Sequence, residues 1–209
     1  MVITIDGLSA TGKSTVAKKL AHTLHYTYFN TGLVYRIITY LILKEKLEDI
    51  SQILDVLKHL DFKLVEDKVM VFGSDITNFL YTDEISLATS KYSVIPEIKK
   101  WVKNIQQEYI HKGNIIMEGR DIGTRIAPQA DIKFYLYTSI EERAKRLISR
   151  GSNESLSTAI KRLEAIDLEN KESKDFIEPN DAIKIDTTHM SFDEVYDSML
   201  QIIKKCSTS

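Results

Sequence analysis

Short apolar runs alternate with amphipathic segments along most of the chain. Helical spacing of apolar positions is found at residues 13–25 and 32–44. The short apolar runs are continuous, which is typical of parallel strands that are buried on both faces. They cover residues 2–5, 26–29, 115–117, 132–136 and 182–185. The pattern therefore predicts an α/β fold with a five-stranded parallel sheet and helices between the strands.

The periodicity changes between about residues 50 and 112. Two apolar runs, 62–65 and 69–72, flank the polar residues 66–68 and predict a small antiparallel hairpin. Two helices are predicted after it, the second beginning at Pro96. Further along the chain, Ser139 and Ser191 each precede a glutamate by three residues, which predicts two more helix starts. The middle of the chain is therefore predicted to be an insertion into the parallel sheet.

Composition and charge narrow the class of protein. The chain has 209 residues, 43% hydrophobic and 28% charged, which suits one compact core with an inserted subdomain and excludes a disordered or fibrous protein. Its 28 Lys and Arg against 30 Asp and Glu give a net charge of −2, so no basic excess points to nucleic acid. The single cysteine, Cys206, can form no internal disulfide, which suits a reducing compartment.

The chain also lacks the sequence pattern of a membrane or secreted protein. Its longest apolar stretch, residues 37–43, is far shorter than the roughly 20 residues of a membrane-spanning helix. Met1 is followed at once by the first apolar run, without the basic region and long apolar core of a secretory signal. We expect a cytoplasmic protein with no membrane partner.

A phosphate-binding loop is the sharpest motif of the sequence. Two glycines are separated by four residues, the second is followed by lysine and serine, and the motif lies between the first strand and the first helix. Main-chain amides would cradle the phosphates of ATP, Lys13 would supply a cation, and the Ser14 hydroxyl would bind Mg²⁺. The predicted ATP-binding residues here are Gly7, Leu8, Ser9, Ala10, Thr11, Gly12, Lys13, Ser14 and Thr15.

Binding of a triphosphate is common to switches, motors and kinases. A guanine-nucleotide switch would need an Asp-x-x-Gly element and an Asn-Lys-x-Asp element, and the sequence contains neither. A GTPase is therefore not favoured.

Two further segments follow predicted strands at the same edge of the sheet. Residues 30–36 carry a hydroxyl, an aromatic ring and Arg36, which suits a second anion, although a helix start with a surface arginine is an equally ordinary explanation. Residues 118–124 carry Arg120 and Asp121 between glycines, at the mouth of the crevice where α/β proteins bind ligands. An ion pair that stabilises the turn is the structural alternative.

Together these segments resemble the bacterial cytidylate kinases of the nucleoside-monophosphate kinase group. The similar segments are the phosphate-binding loop at 7–14 and the stretches at 31–36, 119–124, 142–146 and 186–188. The resemblance implies a phosphate-loop kinase core at 1–30 and 113–209, with a helical lid at about 150–175. It also implies that residues 31–112 form an inserted monophosphate-binding domain.

The resemblance implies roles for individual residues. Thr31 and Asp121 match positions that contact the cytosine ring, and Ser90 matches a position that contacts the ribose. Arg36 and Arg120 match the arginines that hold the phosphate of CMP. Four more residues complete the expected site, with Tyr35 and Lys99 on the substrate side and Arg143 and Arg146 reaching the ATP phosphates.

The sequence departs from the family pattern at several positions. Lys99 stands where the family usually has arginine, and Glu118 where aspartate is common. In the lid, an alignment without gaps places Glu164, Leu168 and Lys171 where an arginine, an aspartate and a second arginine are usual, whereas a one-residue gap restores Asp167. We therefore expect weaker charge stabilisation during transfer, or compensation by Arg150 or Arg162.

The resulting expectation is an ATP-dependent kinase that needs Mg²⁺, acts on CMP or dCMP, and works as a monomer. Lys13, Arg36, Arg120 and Asp121 are its expected catalytic residues. Two alternatives remain open at this point. One is a kinase with a hydroxyl acceptor and Asp121 as base. The other is a nucleotide-binding module without catalysis.

Overall fold

The computed structural model describes residues 1–65, 68–149, 151, 154–172 and 177–207. Its strands are β1 Val2–Asp6, β2 Thr27–Asn30, β3 Phe62–Val65, β4 Lys68–Val71, β5 Ser74–Asp75, β6 Ile115–Gly119, β7 Ile132–Tyr137 and β8 Ile183–Asp186. Its α-helices are α1 Lys13–Leu24, α2 Thr31–Lys44, α3 Ile50–Lys58, α4 Asp83–Tyr92, α5 Pro96–Lys112, α6 Ile140–Ser149, α7 Leu156–Glu172 and α8 Phe192–Ser207. A 3₁₀-helix covers Thr77–Phe79 and a π-helix covers Ile122–Ile126.

The described chain divides into two compact units. The first consists of Met1–Asn30 and Tyr109–Ser209, and the second of Thr31–Glu108. The second unit is thus continuous in sequence and separates β2 from β6.

The first unit is built on a five-stranded sheet with the order β2-β6-β1-β7-β8. All four strand pairs are parallel, so the predicted α/β fold class is confirmed. Asp6 pairs with Gly119 and Asn30 pairs with Glu118, so the carboxyl ends of three adjacent strands lie side by side. Segments that leave these ends therefore start at one edge of the sheet.

Helices pack on this sheet through the apolar faces that the spacing predicts. In α1 the buried residues recur at helical intervals, and in α8 they are Val195, Met199 and Ile203. Both faces join the core around Ile3, Ile5 and Phe134, which are completely buried. The predicted starts of α6 and α8 are also confirmed, since the Ser139 and Ser191 hydroxyls accept hydrogen bonds from main-chain amides three residues later.

The second unit contains the predicted hairpin, β3 and β4, and packs it against α2. The tip of the predicted hairpin, residues 66 and 67, lies outside the described residues. A third strand, β5, was not predicted because its two residues are polar and too few to show a period. Helix α3 was also missed, although its start has a capping box between Asp49 and Gln52.

Helix α5 begins at Pro96, as predicted, and lines up its buried residues at intervals of four. They are Ile98, Val102 and Gln106. The third is polar and was not expected from the apolar pattern. No helix among the described residues is long and apolar enough to cross a membrane.

Candidate active site

The phosphate-binding loop makes a tight turn between β1 and α1. Gly7, Ala10 and Gly12 adopt positive φ angles of 149°, 64° and 96°. A Cβ atom on Gly7 would lie 2.2 Å from the main-chain oxygen of Leu136 on β7. Glycine is therefore required at position 7 by the neighbouring strand as well as by the turn.

The Lys13 side chain lies within this loop. Its Nζ donates hydrogen bonds to the Leu8 carbonyl oxygen at 2.6 Å and to Thr11 Oγ1 at 3.4 Å. Burial lowers the pKa of Lys13 from 10.5 to about 8, and the charge of Glu118 opposes that shift. The ammonium is thus held by oxygen atoms of the loop, in a buried environment that would favour an anionic partner.

A carboxylate at the end of β6 meets the start of α1. Glu118 is 3% exposed, and its Oε2 accepts a hydrogen bond of 2.9 Å from the Ser14 hydroxyl. Its Oε1 accepts from the Tyr28 hydroxyl at 2.6 Å and from Asn30 Nδ2 at 2.5 Å. Burial, and then the charge of Glu118, raises the pKa of Tyr28, so its phenol stays a proton donor.

The pair Ser14 and Glu118 fits the requirements of a magnesium ion. Mg²⁺ prefers oxygen ligands and in kinases is usually held by one or two protein oxygens, water and substrate phosphates. A serine hydroxyl next to a carboxylate, 2.9 Å apart, supplies such oxygens at the phosphate-binding loop. Glu118 is a residue to which the sequence analysis gave no role beyond noting that it replaces a common aspartate.

Asp6 fixes the turn that carries Arg120 and Asp121. It is completely buried, and its two carboxylate oxygens accept main-chain hydrogen bonds from Ile122 at 2.9 Å and from Gly123 at 2.7 Å. Burial raises the pKa of Asp6 to about 6, against the opposing effect of these two amides. The last residue of β1 therefore holds the start of the phosphate-binding loop and the 120–124 turn together.

Arg120 and Asp121 lie at the edge of that turn. Arg120 Nη2 donates to the Ser9 hydroxyl of the phosphate-binding loop at 3.4 Å. Asp121 lies 3.6 Å from Arg125 Nε. The structure thus places Arg120 in contact with the phosphate-binding loop and Asp121 beside Arg125 on the same turn.

Arg143, one of the two arginines expected to reach the ATP phosphates, is bonded to a carboxylate of the next helix. The arginine is 4% exposed and forms a two-pronged ion pair with Asp167 of α7, with Nη2 and Oδ2 2.5 Å apart. Its partner is the aspartate that a one-residue gap in the sequence alignment restores to the lid pattern. The pair joins α6 to α7 in this structure.

Arg146 is bonded to protein oxygens beside the phosphate-binding loop. Its Nη1 donates to the Thr11 carbonyl oxygen at 3.2 Å and to Thr187 Oγ1 at 3.1 Å, and Nη2 donates to the Thr187 carbonyl at 2.7 Å. Its Nε donates to Glu142. Arg146 therefore packs directly against the phosphate-binding loop.

A cavity of about 300 Å³ opens next to this arginine. It is bounded by the beginning of α1, by α6, and by the segment from Thr187 to the first turns of α8. Met190, Phe192 and Val195 give it an apolar side. These residues could not be identified from the sequence, because nothing in their local pattern separates a cavity wall from an ordinary helix start.

In the second unit, Arg36 has a defined position. Its Nη1 donates to the Leu80 carbonyl at 2.7 Å and to Ser86 Oγ at 3.0 Å, and the guanidinium carbon lies 5.4 Å from the centre of the Tyr81 ring. Partial burial lowers the pKa of Arg36, which remains a cation at neutral pH. Arg36 is thus a partly buried arginine near the start of α2, with protein partners that fix its guanidinium group.

The remaining predicted substrate residues also lie in the second unit. The Thr31 hydroxyl accepts a hydrogen bond of 2.9 Å from Gln106 Nε2. Tyr35 and Lys99 are half-buried, and Ser90 is exposed on α4. Gln106 is a residue that the sequence analysis missed.

Of the predicted lid positions, Glu164 and Leu168 are exposed on α7. Arg162 forms an ion pair with Glu154. Arg150 and the side chain of Lys171 lie outside the described residues.

Comparison with known proteins identifies the family to which the chain belongs. A family model described as "Cytidylate kinase" matches residues 3–205. The chain belongs to the cytidylate kinase family. The "Cytidylate kinase" of Bacillus licheniformis is 38% identical over 219 residues, which cover 98% of this chain and 96% of that protein. That of Bacillus subtilis (strain 168) is 38% identical over 218 residues, covering 98% and 97%.

Solved structures support the fold of this family member. TT1252 from Thermus thermophilus superposes with a TM-score of 0.53 at 16% identity, covering 98% of this chain and 96% of the other. A gluconokinase from Sinorhizobium meliloti 1021 gives a TM-score of 0.50 at 13% identity, covering 98% and 91%. At this level of identity the likeness concerns the fold alone.

Proposed function

We propose that the protein is a cytidylate kinase that transfers the γ-phosphoryl group of ATP to CMP or dCMP, giving CDP or dCDP and ADP. The observation that carries the proposal is the family match over residues 3–205 together with the phosphate-binding loop around Lys13. The alternatives, a kinase with a hydroxyl acceptor and a module without catalysis, are not favoured by the family.

ATP is proposed to bind entirely within the first unit. Its phosphates would lie on the amides of residues 7–15, with Lys13 as the mobile cation. The cavity of about 300 Å³ beside Arg146 is the proposed position of the adenine base, because its apolar side chains suit a flat ring. Arg146 contributes to that wall, and Arg146 and Arg143 are the arginines proposed to reach the ATP phosphates, with Arg143 held by Asp167.

A magnesium ion would be held by the Ser14 hydroxyl and the Glu118 carboxylate, together with the phosphates. When bound, it neutralises charge that builds up on the phosphate oxygens. Tyr28 and Asn30 keep Glu118 in place by donating to its other oxygen.

The acceptor site is proposed from the family resemblance and from local geometry in each unit. Arg36 and Arg120 are proposed to bind the phosphate of CMP, Thr31 and Asp121 the cytosine ring, and Ser90 the ribose, with Tyr35 and Lys99 nearby. Arg36 suits this role because Leu80, Ser86 and Tyr81 already orient its guanidinium group. Residues 31–112 are accordingly proposed as the monophosphate-binding insertion.

The proposed chemistry needs no general base. The acceptor phosphate is already anionic at neutral pH, so alignment of the reactants and cationic groups supply the catalysis. Lys13, Arg36 and Arg120 provide those charges, and Asp121 fixes the acceptor through the amino group of cytosine. The region at about 150–175 is proposed as a lid that excludes water, as expected for a kinase that must not hydrolyse ATP.

A coupled assay of ADP release with CMP, dCMP, UMP and AMP tests the proposal. We expect turnover with CMP or dCMP well above that with AMP, and none in Lys13→Met. ADP release that is independent of any monophosphate would contradict a monophosphate kinase. If CMP is an acceptor, Asp121→Asn should raise KM for CMP; a collapse of kcat with unchanged KM would support a base at this position instead.

A further inference from the structure

A buried glutamine contacts one of the proposed base-binding residues. Gln106 is 2% exposed on α5, and its amide Nε2 lies 2.9 Å from the hydroxyl oxygen of Thr31, the first residue of α2. Both residues belong to the second unit. Gln106 follows the buried Ile98 and Val102 at the same interval along α5, so a buried amide at this position requires an explanation beyond packing.

The direction of this hydrogen bond determines what Thr31 can offer to a ligand. A hydroxyl group has one hydrogen to donate and can also accept. Because the Gln106 amide donates to Thr31 Oγ1, the hydrogen of the hydroxyl is turned away from Gln106. One lone pair of the Thr31 hydroxyl is thereby used, and its hydrogen is left to donate to a ligand.

This orientation distinguishes the two common pyrimidines. At ring position 3 cytosine has a lone pair and uracil has an N–H group. A hydroxyl that is held as a donor is complementary to the first and opposes the second. We propose that Gln106 is a positioning residue that selects cytosine over uracil by orienting the Thr31 hydroxyl toward ring nitrogen N3. This inference rests on the proposed function, in which Thr31 contacts the base.

Two substitutions of Gln106 test the proposal through the ratio of kcat/KM for CMP to that for UMP. Gln106→Met removes the donor and keeps the length of the side chain. Gln106→Glu replaces the amide by a carboxylate that accepts the hydrogen of Thr31, so the hydroxyl no longer donates to the base. We expect the ratio to fall about tenfold in Gln106→Met and further in Gln106→Glu, mainly through KM for CMP.

A double-mutant cycle separates orientation of Thr31 from a general effect on folding. In Thr31→Val the hydroxyl is absent, so adding Gln106→Met should leave the ratio unchanged. Thr31→Ser, which keeps the hydroxyl, should retain the preference for CMP. Gln107→Met, on the next residue of the same helix, is the matched control and should keep the wild-type ratio.

The possible results separate a failure of the proposed function from a failure of the inference about Gln106. If the wild-type protein does not phosphorylate CMP, the proposed function fails. If it does, and Gln106→Met lowers only the melting temperature while the ratio is unchanged, the glutamine is structural and the inference is overturned. If Gln106→Met does not fold, Thr31→Val decides instead, because a ratio that survives loss of the hydroxyl also overturns the inference.

Discussion

The Ser14 hydroxyl donates a hydrogen bond of 2.9 Å to the carboxylate of Glu118, which joins the first turn of α1 to the end of β6. Tyr28 and Asn30 donate to the other oxygen of the same carboxylate. Glu118 is therefore oriented by β2 on one side and faces the phosphate-binding loop on the other.

Replacement of Glu118 by glutamine should weaken the binding of Mg²⁺ at the proposed site. The substitution removes the negative charge while keeping the size of the side chain. We expect the concentration of Mg²⁺ needed for half-maximal activity to rise, and activity at fixed Mg²⁺ to fall, by about 10- to 100-fold. A magnesium titration of the ADP-release rate measures both. The exposed Glu45 provides the control, since Glu45→Gln should change neither quantity.

The lowered pKa of Lys13 predicts how ATP binding changes with pH. With a pKa of about 8 in the folded protein without nucleotide, the side chain loses its charge as the pH rises through 8. Binding of a fluorescent ATP analogue should therefore weaken above pH 8. In Lys13→Met that dependence should be missing, and phosphoryl transfer should be abolished.

The same shift predicts a change in stability of opposite sign. Between about pH 8 and the ordinary pKa of 10.5, the folded protein holds fewer protons at Lys13 than the unfolded chain does. The contribution of this residue to the free energy of unfolding should therefore rise with pH over that range. Urea denaturation of wild type and Lys13→Met at several pH values measures the difference, and parallel curves would contradict it.

Gly7→Ala should be strongly destabilising. Its methyl group would lie 2.2 Å from the Leu136 carbonyl, so β7 or the loop must move. We expect a loss of about 3 kcal/mol or more in the free energy of unfolding, together with loss of ATP binding. Gly73→Ala is the control, because Gly73 also has a positive φ, 76°, but no atom within 4 Å of the added carbon. It should cost only about 1 kcal/mol. Equal losses at the two sites would contradict the argument.

Asp167→Ala should destabilise the protein more than an exposed ion-pair variant on the same helix. It leaves the Arg143 guanidinium, 4% exposed, without its carboxylate, and such losses typically cost about 3–5 kcal/mol. Arg162→Met breaks the ion pair between Arg162 and Glu154. Because the Arg162 side chain is 48% exposed, this loss should cost less than about 1 kcal/mol. Melting curves of both variants measure the difference. A smaller loss of stability in Asp167→Ala than in Arg162→Met would show that the pair between Arg143 and Asp167 does not stabilise the fold.

The sheet and the phosphate-binding loop could be predicted because their signals are local. Buried parallel strands are short apolar runs, and the loop combines glycines, Lys13 and Ser14 within eight residues. The strand β2 was predicted only one residue too early. The two-residue strand β5 is too short to show a period. Helix α3 was missed although its apolar residues recur at helical spacing after a capping box.

The bonding partners of polar side chains could not be predicted from the sequence in the same way. Arg143 and Arg146 are three residues apart on α6, yet one is paired with Asp167 and the other with Thr187. Gln106 occupies a buried position that the apolar spacing would give to a hydrophobic residue. In each case the partner is distant in sequence, and only the folded chain brings it near.

Hydrogen bonds fix the guanidinium group of Arg146 in the protein without a nucleotide. Each nitrogen of its guanidinium group already has an oxygen partner in the protein, from Glu142, Thr11 or Thr187. A flexible arginine would lose rotational freedom when a ligand arrives, at a cost of about 0.5–1.5 kcal/mol. Here that freedom is lost when the chain folds, so a nucleotide that binds at the proposed site should not incur this cost.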